Sequence, residues 1–183
     1  MKVALGLKAH SGWAALVAIG KSAHGLEVVD RRRLELVEHT WAKAPYHAAE
    51  KVSPGKANAL VKRGIEEAYR VAEEALRAAI AGLDAHEIVG CAILTPNPMP
   101  DWTTDEILAV HFRMHKAEGV LFPDALARAA KACGLRLVAV PEKTLSADAS
   151  TLQRIAALGK SVGAPWGKDQ KTAALAAILA LAK

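Results

Sequence analysis

Apolar positions near the start of the chain alternate with polar ones or fall in short blocks, and further on they recur every three to four residues. Residues 2–9 read as a strand, His10-Ser11-Gly12 as a tight turn and residues 13–20 as a second strand. Turn residues from Lys21 to Gly25 lead into a third strand over 26–38, so these three segments form an antiparallel meander. Between 57 and 81 the period becomes helical, with Val61, Ile65, Ala68, Ala72, Leu76 and Ala79 on one face. The opposite face pairs Lys62/Glu66, Arg63/Glu67, Arg70/Glu74 and Glu73/Arg77 at i,i+4, which is the pattern of a solvated surface. Residues 87–94 are almost wholly apolar, as in a strand buried on both faces. A fifth strand over 135–140, a short helix over 150–158, a Gly/Pro turn from Gly159 to Gly167 and a last helix from Lys168 complete the order. With no repeat and no linker, residues 1–183 read as a single domain.

The stretch from Thr104 to Cys133 predicts a central helix, started by Asp101 or by Thr103 with Glu106 as a capping box. Ile107, Leu108, Met114, Leu121, Phe122, Ala125, Leu126 and Ala129 share one stripe, and His111, His115 and Glu118 fall in its middle at i, i+4 and i+7. Polar groups on a core-facing stripe need partners or a task. Gly119 and Pro123 are expected to interrupt the helix just beyond them. The long connection over 39–56 holds Trp41 and Tyr46, which read as anchors for the loop. Lys43, Lys51 and Lys56 interleave with these aromatics in a pattern that suits nucleic acid. Ser53-Pro54-Gly55-Lys56 lacks the earlier glycine and the following hydroxyl residue of a phosphate loop.

Composition sharpens this picture in three ways. The chain is 52% hydrophobic yet only 4% aromatic, so its core is built from Ala, Leu, Val and Ile. There is no signal-peptide layout, and the apolar run over 172–182 is too short to span a bilayer. Cys91 and Cys133 have neither metal-ligand nor disulfide spacing and read as reduced core thiols, so a cytoplasmic protein away from membranes is expected. The net charge of +5 and pI near 9.3 permit a polyanionic partner. Arg31, Arg32 and Arg33 sit mid-strand, where charge protects an exposed sheet edge.

The order of a meander followed by strand–helix units resembles the ribonuclease H-like fold, and short motifs resemble its RuvC Holliday-junction resolvase branch. Lys116-Ala117-Glu118-Gly119-Val120 is similar to that family's Gln-Ala-Arg-Gly-Val segment. Gly134-Leu135-Arg136-Leu137-Val138 and Pro141-Glu142-Lys143 are similar to its Gly-Leu-Pro-Val strand and Pro-Asn-Glu turn. Gly6-Leu7-Lys8-Ala9-His10 stands where the family has Gly-Ile-Asp-Pro-Gly, and the helix beginning Asp169-Gln170-Lys171-Thr172 falls in the expected order. The resemblance implies an α/β fold: a five-stranded mixed sheet, antiparallel over strands one to three and parallel beyond, flanked by helices.

The family's chemistry, as the resemblance implies it, uses four carboxylates to hold two magnesium ions. Here Lys8 replaces the first acid, Ala92-Ile93-Leu94 offers none, Asp169 matches one and Thr172 stands in place of another. The two-magnesium site is therefore disfavoured. An exchanged ion pair of Lys8 with Glu118 is the arrangement these replacements imply.

Several candidates follow. A pocket at Lys8, Glu118 and Asp169 belongs to a catalytically divergent or inactive nuclease relative that binds nucleic acid through Lys43, Lys51, Lys56, Lys168 and Lys171. A divalent metal held by His111, His115, Glu118 and His10 is a second, since imidazoles at i and i+4 project from one helix face. A structural subunit acting as a homodimer is a third. The sequence does not decide whether the chain is an enzyme.

Overall fold

The computed structural model describes residues 1–182. β1 (Lys2–His10), β2 (Trp13–Ser22) and β3 (Gly25–Glu35) form the antiparallel meander. β4 (Glu87–Thr95) runs parallel to β1, and β5 (Leu137–Pro141) runs parallel to β4, giving the strand order β3-β2-β1-β4-β5. The helices are α1 (Pro45–Ala49), α2 (Pro54–Ala81), α3 (Thr104–Leu108), α4 (His111–Ala132), α5 (Ala149–Val162) and α6 (Lys168–Leu181). This is the mixed five-stranded α/β architecture that the resemblance implies, opening with the meander that the residue pattern predicts. Among the described residues no helix is long and apolar enough to cross a membrane.

Strand alternation divides the side chains of central β1 between two helical layers. Val3, Leu5 and Leu7 share a core with Ala68, Ala72 and Leu76 of α2 and with Leu121, Phe122 and Leu126 of α4. Ala4 faces the other way, clustering with Ala176 and Ala180 of α6, and Gly6 lies against the α6 backbone at Ala173 and Ala177. Small residues on both sides let α6 sit close to the sheet. α5 packs outside it through Ile155 and Leu158.

Three local expectations are corrected. The helix expected over 104–133 is two helices, because Val110 adopts extended backbone (φ −140°, ψ 113°) and α4 starts afresh at His111. The predicted interruption at Gly119 and Pro123 does not occur, and α4 runs on to Ala132. Pro123 deprives the Gly119 carbonyl of its partner, but burial of Leu121, Phe122, Ala125 and Leu126 carries the helix through. The connection over 39–56 is also more ordered than a loop, holding a 3-10 turn at Thr40–Lys43 and then α1. Tyr46 is buried and Trp41 packs against the main core, so both do anchor this segment.

Glu67 of α2 ties down the start of that connection. Its carboxylate accepts from the backbone N–H groups of Glu38 and His39, each at 2.8 Å, and lies 2.8 Å from His39 Nδ1. Burial pushes its pKa up, but these bonds outweigh burial and hold it below the ordinary 4.5. A carboxyl depressed in the folded state stabilises above its unfolded value and loses that contribution as pH falls through the folded value. The stability gap between wild type and Glu67→Gln is thus expected to be full above about pH 4.5 and to close on further acidification. Urea unfolding at a series of pH values checks this.

Candidate functional site

Two groups of chemistry-bearing side chains stand apart, one on each face of the sheet. The first lies at the carboxyl end of β1. Lys8 follows Ala4 and Gly6 onto the α6 side, where its ammonium meets Glu142, just after β5. His10, two residues on, reaches α6, with Nε2 3.0 Å from Asp169 Oδ1, close enough for attraction but outside hydrogen-bond geometry. The His10 ring stacks on Trp13 with centroids 4.3 Å apart, and the Arg33 guanidinium lies 4.0 Å from the Trp13 ring centre. Thr172 is turned back onto its own helix, donating to the Lys168 carbonyl at 2.7 Å.

The exchanged pair of Lys8 with Glu118 does not form. Odd-numbered residues of β1 face α4, whereas Lys8 is even-numbered and faces α6, so the sheet separates the two groups. Glu142, read from sequence only as part of a turn, is the true partner of Lys8. It comes from the far end of another parallel strand, which no local spacing reports.

The second group surrounds Glu118, the one buried charged residue among the described residues. Its Oε1 accepts from the backbone N–H groups of Tyr46 and His47, each at 3.1 Å, and its Oε2 lies 2.7 Å from His47 Nδ1. A carboxylate only accepts, so His47 carries a proton on Nδ1, which in the neutral ring leaves the lone pair on Nε2. That Nε2 is buried without a partner. His111 and His115 of α4 bring their Nε2 atoms to 3.0 Å from each other. One nitrogen from each of the three rings lies within 4.8 Å of the others. Burial and the Glu118 charge together push the Tyr46 phenol above its usual range.

The histidine set predicted from sequence is therefore corrected in membership. His111 and His115 lie together, but they are exposed at the margin of the apolar stripe rather than in its middle. Glu118 is engaged as the acceptor for His47, and His10 belongs to the other face of the sheet. No local spacing marks His47, because the two histidines beside it come from a helix far along the chain.

The candidate lysines fall into two places. Lys168 and Lys171 line a groove of 510 Å³ with Glu142 and Thr172 beside the first group. Lys43 lies against the β1–β2 turn at Gly12, while Lys51 shares a groove with Trp41, His47 and Arg63. Lys56 is exposed near the start of α2. Among the described residues none of these five enters an ion pair. The arginine run on β3 is otherwise engaged: Arg31 donates to the carbonyls of Val162, Gly163, Ala164 and Pro165, Arg32 meets Asp30 and Arg33 meets Glu35.

No protein-family model and no curated protein matches the chain. Solved structures do. Thermus thermophilus RuvC in complex with a Holliday junction substrate aligns over 97% of this chain and 91% of that chain, with a TM-score of 0.52 at 10% identity. The Thermus thermophilus RuvC structure aligns over 96% and 91%, with a TM-score of 0.49 at 11% identity. With the sheet order above, the likeness to the junction complex gives the chain a ribonuclease H-like fold.

Proposed function

We propose that residues 1–183 form one ribonuclease H-like domain, a catalytically divergent relative of the RuvC resolvases that binds nucleic acid without the two-magnesium cleavage chemistry. The observation that carries this reading is the ion pair of Lys8 with Glu142 at the carboxyl end of the central strand. Magnesium requires hard oxygen ligands. Among the described residues the carboxylates joined to this edge are Glu142 and Asp169, and each already faces a basic side chain. Lys8 adds a fixed positive charge where a cation would have to sit. This donor set does not fit two magnesium ions.

What suits the same edge is a polyanion. Lys168 and Lys171 lie along the adjoining groove, Lys43 flanks the nearby turn, and the chain carries an excess of five positive charges. The Thermus thermophilus neighbour is seen with a four-way DNA junction, which supports branched DNA as the first ligand to try. Phosphates neutralised by lysine release counterions, so affinity falls as salt rises.

Fluorescence anisotropy with a labelled four-way junction and a matched duplex, across a salt series, tests the reading. Log affinity is expected to fall linearly with log salt, and the Lys168→Ala/Lys171→Ala double variant to lower the slope by about 2 if each lysine meets one phosphate. Junction cutting in magnesium that persists in Lys8→Ala overturns the divergent-site reading. Binding indifferent to salt overturns the nucleic-acid reading.

A further inference from the structure

We infer that His47, His111 and His115 form a zinc site with an open fourth position, held in shape by Glu118 and separate from the sheet-edge pocket. The three rings come from two elements. α4 supplies His111 and His115 one turn apart in its first two turns, and α1 supplies His47 across the interface between them.

The proton positions point to a cation. Glu118 fixes the Nδ1 proton of His47 and thereby turns a lone pair outward at Nε2, a buried atom with no protein partner. An unpaired buried acceptor is unfavourable, and a metal ion shared with two further imidazoles would satisfy it. His111 and His115 direct two further Nε2 atoms at one another 3.0 Å apart. A tetrahedral ion with Zn–N bonds of about 2.0–2.1 Å places its nitrogen ligands roughly 3.3 Å apart. The histidine pair is thus near ligand spacing already, and a nitrogen of the third ring lies within 4.8 Å of both. The ring centroids, 4.6–5.0 Å apart, show three imidazoles gathered at one point rather than laid flat as a packing surface.

The carboxylate behind His47 completes the logic. A ligating histidine commonly donates its second N–H to a carboxylate, which fixes its tautomer and raises its basicity. Glu118 also accepts two backbone N–H groups of α1, so it holds the helix and the ring together. Glu50, the next acid on that segment, has Oε1 3.8 Å from His111 Nδ1, beyond hydrogen-bond range, and adds negative charge beside the set. An all-imidazole set favours zinc and its neighbours over magnesium or calcium. Three protein ligands, two of them on exposed side chains, leave the fourth position to water or an incoming anion.

The test uses the full chain stripped with a chelator and titrated with zinc sulfate alone by isothermal calorimetry, with cobalt(II) as a spectroscopic stand-in. One zinc per chain is expected, and the cobalt form is expected to show the strong visible bands of a four- or five-coordinate nitrogen site. His111→Ala and His115→Ala, both at exposed positions, should keep the apo melting temperature while weakening zinc binding by at least about 100-fold. Glu118→Gln should weaken it by about 10–100-fold. His24→Ala, remote from the cluster, should leave it unchanged. Folded wild-type protein that takes up no stoichiometric zinc overturns the inference, as does uptake unaffected in His111→Ala and His115→Ala. Neither outcome bears on DNA binding, which is measured separately.

Discussion

Glu118→Ala is expected to lower the melting temperature by about 6–12 °C, a loss of roughly 3 kcal/mol for a chain of this size. The carboxylate is 9% exposed and serves three donors at once: the backbone N–H groups of Tyr46 and His47, and the His47 ring. Deleting it leaves these donors unpaired at a buried helix contact, at about 1–3 kcal/mol for each fully buried group. Burial of the Tyr46 phenol is the larger cause of its raised pKa, and the Glu118 charge adds to it. Glu118→Gln removes the charge but keeps an amide oxygen for the backbone donors. It should destabilise less than alanine while moving the Tyr46 titration back toward its ordinary range. Thermal unfolding followed by circular dichroism, with an ultraviolet titration of the tyrosines, checks both. A melting temperature unchanged in Glu118→Ala would show that α1 is held to α4 by apolar contact alone.

Gly6→Ala should be at least as damaging through a different route. A methyl group at residue 6 would stand 1.9 Å from the Ala173 carbonyl oxygen and 2.7 Å from the Ala177 nitrogen, and both atoms belong to the α6 backbone. No rotamer change relieves a clash with a helix backbone, so α6 must lift from the sheet. Overpacking typically costs about 1–3 kcal/mol, and a rigid neighbour puts this site at the top of that range or beyond. A fall of about 6–12 °C or more in melting temperature is expected. Because Asp169 rides on α6, the shift also carries it away from His10 and opens the groove lined by Lys168 and Lys171. DNA affinity measured well below the transition would then fall too. Gly119→Ala is the matched control, since its added methyl meets nothing within 4 Å and the helix gains a better former.

Apolar blocks in the first 35 residues, separated by turn residues at 10–12 and 21–25, are enough to predict the meander, because strands this short and apolar can reverse direction only at such turns. The helical period over 57–81 likewise marked α2, and Glu118 on an apolar stripe was legible as a buried acid needing partners. Local pattern misplaced the break in the central helix. Proline carries a penalty that sequence can count, but the burial of Phe122 and Leu126 that outweighs it exists only once the sheet is assembled.

Sequence by itself determined the strands, the meander they open with and the chemistry of the residues on offer, Lys8 near the end of the first strand among them. Tertiary structure alone decided who meets whom. Strand parity sent Lys8 to Glu142 instead of Glu118. Docking of α1 on α4 brought His47 to a carboxylate 71 residues away and set its free nitrogen among His111 and His115. Periodicity is a property of neighbouring residues, whereas these meetings depend on which helix the connecting segments lay against which face, and that is settled by the packing of the whole core.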